Sequence, residues 1–429
     1  MAWAIEQLKK FMASFLCASI ALALFVAGSA SDSFADELPN NTAGAPTPLL
    51  VGGWQLSPTL FAGAVYNTNV NQTPTNAVSS WGERVTPGFS ATLDNGIHKT
   101  SVYGVADIQN YANSAANNTV YANAGFTQTY LPRPDLTFRL SGGFTRAADI
   151  FGSSALGTVN TSLPTTPSAP VATTTVSPQV NSSPYNQFSG AFSVDKSFGR
   201  TFVGLTASAV DTRYSSNPAS TTSSNGTTYT VTQRTGFNLT PQLYAFVDPS
   251  VNWQRYADST RNQDGYRITG GVGTLNAGIW RGEVYGGYQA EKNDIVGTYN
   301  SPVFGLRIGY SPTRIWDFSA SVDENLAAAT VPTTGTTGVA SRVTTALGNV
   351  VYKGLPQDWT TSARFGLVRT QYVDSSQINN GWLAGATVTY EFWRNLGITL
   401  MYQYMSVDSN VAGQSFNQQM VSLGASYKY

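Results

Sequence analysis

From Trp54 onward the chain alternates apolar and polar residues with a period of two. Phe304, Leu306, Ile308 and Tyr310 share one face of a stretch whose other face carries Gly305, Arg307 and Gly309. Trp316, Phe318, Ala320 and Val322 likewise oppose Asp317, Ser319, Ser321 and Asp323. Trp382, Ala384, Ala386, Val388, Tyr390 and Phe392 leave Glu391 on the opposite side, and Leu396, Ile398, Leu400, Tyr402 and Tyr404 form one more apolar row. The final segment puts Val421, Leu423, Ala425, Tyr427 and Tyr429 on one face and Ser422, Gly424, Ser426 and Lys428 on the other. Each is a strand with one greasy and one wet face.

Strand-like runs of roughly 10–14 residues recur along the chain, separated alternately by tight and by longer connections. The series opens with Trp54–Asn67 and Trp81–Asp94 and closes with Leu396–Asn410 and Gln418–Tyr429. Asp94-Asn95-Gly96 is a two-residue hairpin signal. Followed through, the short turns all fall on one side. The pattern predicts an all-β, antiparallel, up-and-down transmembrane barrel of about 18 strands, or 16 if the first pair lies outside the wall. Trp54, Tyr66, Trp81, Trp280, Trp316, Trp359, Trp393 and Tyr429 sit near strand ends, where aromatic girdles meet the membrane interfaces.

Composition supports the membrane. Charged residues make up 11% of the chain, against about 25% in an average globular domain. A soluble surface needs more charge, whereas an apolar and aromatic content this high argues against disorder. The net charge is zero, so no basic excess points to nucleic acid.

The N-terminus has the form of a secretory signal: Lys9 and Lys10, an apolar run from Phe11 to Ala27, then small residues around Ser33-Phe34-Ala35. This predicts a cleaved signal over 1–35, a periplasmic lead over 36–53 and a barrel over 54–429; an uncleaved anchor is the alternative. Cys17, the single cysteine, lies within the signal, so the mature chain has no thiol chemistry.

The chain resembles the putative β-barrel porin family of bacterial outer-membrane proteins. The residues that carry the likeness are Tyr66-Asn67-Thr68-Asn69-Val70, Arg84-Val85-Thr86-Pro87-Gly88, and the turn-to-strand run Thr240-Pro241-Gln242-Leu243-Tyr244-Ala245-Phe246. Where family members carry an acidic residue in the first element, this chain has Asn67-Thr68. The resemblance implies an outer-membrane barrel of about this strand number. Some members look like conduits for exopolysaccharide export that work with a periplasmic partner.

No catalytic constellation is evident, and neither an enzyme, a metal nor a cofactor is expected. His98 stands alone beside the Asp94–Gly96 turn, as a solvated rim residue would. Alternation instead turns Arg139, Arg234, Arg267, Arg307 and Arg364 inward, together with Glu283, Asp317 and Asp323. Facing lipid at mid-membrane, an Arg would cost about 2–4 kcal/mol, so the interior is favoured. These charges either set a transverse field in a pore or pair with one another and fill the barrel. The uncharged segment Ile150–Tyr185 either folds inward as a neutral constriction or forms a surface loop.

The sequence therefore predicts a porin-like channel for passive diffusion of small polar solutes, or alternatively a polysaccharide export conduit with a periplasmic partner. Outer-membrane lipid is the expected surrounding. The barrel-assembly machinery is the expected reader of the terminal strand's apolar face, Val421, Leu423, Ala425, Tyr427 and Tyr429.

Overall fold

The computed structural model describes residues 48–147, 167–168, 184–214, 225–277, 279–294, 297–328, 340–353, 358–373 and 376–429. The expected signal, most of the lead and most of the 150–185 segment lie outside these residues.

Three residues, β1 (Leu49–Val51), precede the wall and pair back on β2 (Trp54–Asn67). The wall continues through β3 (Ser80–Asp94), β4 (His98–Tyr111), β5 (Thr119–Arg133), β6 (Leu136–Ala147), β7 (Tyr185–Phe198), β8 (Thr201–Tyr214) and β9 (Gly226–Asn238). Next come β10 (Leu243–Tyr256), β11 (Gln263–Ala277), β12 (Trp280–Asn293), β13 (Gly297–Thr313) and β14 (Trp316–Ala328). The last are β15 (Ala340–Tyr352), β16 (Trp359–Tyr372), β17 (Ile378–Trp393), β18 (Leu396–Ser409) and β19 (Phe416–Lys428).

Each strand from β2 to β19 pairs antiparallel with its sequence neighbour, and β19 pairs with β2 from Met420↔Asn67 to Lys428↔Thr59. The sheet is thus a closed barrel of 18 strands. The first pair belongs to the wall, which removes the 16-strand option. Closure leaves no unpaired edge, the condition for spanning lipid with strands.

Tight turns gather at one end. At the first of them Gly96 adopts φ 85° and donates its N–H to Asp94 Oδ1 at 2.8 Å. Gly199, at φ 65°, serves the β7–β8 turn in the same way. Only glycine takes this backbone shape cheaply.

The two faces are told apart by which side chains meet across the sheet. Arg234 of β9 reaches Glu283 of β12, and Phe202 of β8 meets Tyr244 of β10 edge-on, so these residues line the concave side. Their register partners in neighbouring strands follow. On the convex side stand Phe304, Leu306, Trp382, Ile398, Leu400, Leu423 and Tyr427, all exposed. That assignment matches the alternation of the sequence on β13, β14, β17, β18 and β19.

The interior is less uniformly polar than alternation suggests. Val343, Val368, Leu383, Met405, Val407 and Phe416 cluster inward on β15–β19 near the long-loop end. Phe202, Tyr244, Phe246 and Tyr285 form a second inward cluster on β8–β12. Alternation fixes the side to which a residue points. It does not say whether that residue meets water or a side chain from across the barrel.

Candidate functional site: the barrel interior

The interior has two different sides. On β6–β14 it is packed, with Arg234 at its centre. Arg234 is fully buried, and its Nε donates to Asp248 Oδ1 at 2.8 Å. Its Nη1 and Nη2 donate to the two carboxylate oxygens of Glu283 at 3.1 and 3.0 Å. Tyr244 donates its hydroxyl to Glu283 Oε2 at 2.7 Å, and the guanidinium lies 3.8 Å over the Phe246 ring. An arginine fork suits this task, because two parallel bonds fix a carboxylate in angle as well as distance.

The other inward charges on this side are held similarly. Arg139 lies 3.7 Å from Asp195, and Arg307 lies 3.4 Å from Asp323, which also accepts from the Tyr285 hydroxyl. Arg267 is 5.4 Å over the Tyr285 ring. Asp317 sits at the tight-turn end and accepts from Ser311 Oγ at 3.0 Å. The mutual-pairing arrangement therefore describes Arg139, Arg234, Arg307, Glu283 and Asp323.

Of the 150–185 segment, Pro184 and Tyr185 lead into β7, and Pro167 and Ser168, the other two described residues, lie inside. Ser168 is buried, and the Pro167 carbonyl accepts from Arg234 Nη1 at 3.4 Å. A Cβ on Gly204 would stand 2.2 Å from the Ser168 carbonyl oxygen, so glycine makes this approach possible.

The other side, β15–β19 with β2–β4, is open. A cavity of about 240 Å³ runs along it, with Arg364 on its wall. Its extremes are Gln109, two residues from the long-loop end of β4, and Ser426, two residues from the tight-turn end of β19. Register links the two: Gln109 pairs with Arg84, Arg84 with Gly63 and Gly63 with Gly424, so the cavity lies as a band across neighbouring strands. Hydroxyl and amide side chains line it together with Phe61, Met401 and Met420, and Arg84 is a second guanidinium. Arg84 grips Asp107 through two bonds of 2.8 and 2.9 Å and donates to Ser422 Oγ at 3.3 Å.

Arg84, Asp107, Asp195, Asp248, Tyr244 and Glu291 are interior groups that sequence reasoning missed. Arg84 sits in the Arg84–Gly88 run that carries the family likeness, and its alternation with Glu83 could have singled it out. Asp107 was harder to find, since β4 also turns Tyr103 and Val105 inward, which blurs the apolar-out rule. His98 stacks on Tyr130 at 4.7 Å, at the rim where its place beside the turn put it.

A closed, 18-stranded antiparallel wall with an apolar exterior defines an outer-membrane-type β-barrel. Residues 42–429 match the family described as "Putative beta-barrel porin 2", and the chain belongs to that family. It is accordingly an outer-membrane protein, whose tight-turn end is periplasmic and whose long-loop end faces outward. No curated protein matches its sequence. Among solved structures, OccK1 (OpdK) of Pseudomonas aeruginosa aligns with TM-score 0.41 and 11% identity over 87% of this chain and 99% of that one. The siderophore receptor PirA of Pseudomonas aeruginosa aligns with TM-score 0.41 and 9% identity over 87% and 80%.

Proposed function

We propose that the protein is a passive outer-membrane channel for small polar solutes. The single observation that carries this reading is the cavity of about 240 Å³ on the open side, into which Thr, Ser, Asn and Gln side chains project. Hydroxyls and amides along such a path exchange water hydrogen bonds for wall hydrogen bonds at little net cost, and no energy input is needed. The packed Arg234 side acts as an internal brace that narrows the lumen, with Pro167 and Ser168 resting on it. The path is consequently off-centre, bounded by β15–β19 and β2–β4.

The test is single-channel recording of the refolded, signal-free protein in a planar bilayer. Discrete steps in simple salt are expected. A folded, heat-modifiable barrel that never conducts would overturn the passive reading and leave the partner-dependent polysaccharide conduit as its replacement.

A further inference from the structure

We infer that the open side of the interior is a binding site for a small, hydroxyl-rich anion, held by Arg364 with Arg84 beside it. The inference rests on the channel reading and names the solute class that the channel would favour.

Four observations carry it. Arg84 and Arg364 line one cavity, and no acidic side chain is among its lining residues. Both guanidiniums are positioned rather than loose. Arg84 is fixed by its two bonds to Asp107, a residue with no exposed surface. Arg364 donates to Gln403 and lies across Gly385, where an added Cβ would stand 2.9 Å from its Nε.

The rest of the lining is chemically suited to hydroxyl groups. Thr86, Ser362, Thr387, Thr399, Ser422 and Ser426 supply groups that both donate and accept. A cavity of about 240 Å³ has room for roughly eight waters, the size of one monosaccharide.

Charge on this side also leans one way. Among the described residues, the register of β2–β4 and β15–β19 turns Arg84, Lys99, Arg364 and Lys428 inward against Asp94, Asp107 and Glu391. Two of the three acids are already bound to cations, Asp94 to Lys99 and Asp107 to Arg84. A solute carboxylate entering this path meets oriented guanidinium donors, and its hydroxyls meet the Thr and Ser wall.

The experiment uses the full-length mature protein with glucuronate as the probe and glucose as its neutral counterpart. In a potassium chloride gradient the reversal potential is expected on the chloride side. Glucuronate is expected to interrupt the current at concentrations where glucose does not. Calorimetric titration of the detergent-solubilised protein should give the same preference. Arg364→Gln should raise the half-blocking concentration about tenfold or more, while Arg364→Lys should restore part of the preference. Gly385→Ala, which crowds Arg364 without removing its charge, should also weaken block. Heat modifiability identifies the variants that have folded.

Equal block by glucuronate and glucose, or folded Arg364→Gln and Gly385→Ala proteins that behave as wild type, would overturn the site. A protein that binds glucuronate in solution but never conducts would retain the site and sink the channel reading. A conducting protein with no glucuronate binding would do the reverse.

Discussion

Arg234 on β9 and Glu283 on β12 are joined by two hydrogen bonds of 3.1 and 3.0 Å across the two strands that separate them in the sheet. Both side chains are fully buried. Removing Glu283 takes one of two acids from the buried Arg234 guanidinium, which keeps Asp248, and takes the acceptor from the Tyr244 hydroxyl. Glu283→Ala should therefore destabilise the barrel by about 3 kcal/mol. Adding Arg234→Met and Asp248→Leu to Glu283→Leu should recover most of that loss, because apolar side chains then replace all three ions and leave no buried charge behind. Urea unfolding in detergent micelles measures both. A single substitution as costly as the triple one would mean that the cluster contributes nothing beyond packing.

Gly204 leaves room for the Ser168 carbonyl, which would stand 2.2 Å from an added Cβ. Gly204→Leu should displace Pro167 and Ser168 from the interior without breaking the β8–β9 ladder. The lumen widens in consequence, and unit conductance should rise. Unchanged conductance in a folded variant would place these two residues outside the conducting path.

The assignment of faces is open to a paired test. Leu306 is on the lipid side, so Leu306→Arg should cost about 2–4 kcal/mol. Ser362 lines the cavity, and Ser362→Arg should be tolerated with a far smaller loss. Equal costs for the two would overturn the assignment.

The terminal strand gives a test in cells. Tyr427 is exposed on the convex side, and the Tyr429 N–H reaches the Pro58 carbonyl at 3.0 Å. If the apolar face of this strand is what the assembly machinery reads, Tyr427→Ser with Tyr429→Ser should lower the heat-modifiable fraction in the outer membrane severalfold. Refolding in detergent, which bypasses the machinery, should suffer much less. Parallel losses in both settings would point to the seam itself rather than to recognition.

Alternation made most of the wall legible. The pattern Phe304 to Tyr310 predicted which residues meet lipid, and Asp94-Asn95-Gly96 predicted a tight turn where one stands. It could not predict that Arg234 would meet Glu283. Period two records the side of a strand, whereas that contact depends on how far the sheet curves before two strands face each other. Leu383 and Val343 illustrate the same limit. Both are apolar and inward, stabilised by partners that come from other strands of the curved wall. The split of the interior into a packed and an open side is a property of closure, and no single strand encodes it.

Closure also has a kinetic side. Met420 and Asn67 are partners in the wall, yet more than three hundred residues of chain separate them. Bringing ends that far apart together costs about 5 kcal/mol in chain entropy for a flexible chain, against about 1 kcal/mol for a neighbouring hairpin. Every other pairing in the wall is local by comparison. An unfinished barrel is thus a curved sheet with two sticky margins and no gain from the seam. Shortening the wall at either margin removes closure as a whole rather than one strand's share of it, so truncation should act as a threshold rather than a slope.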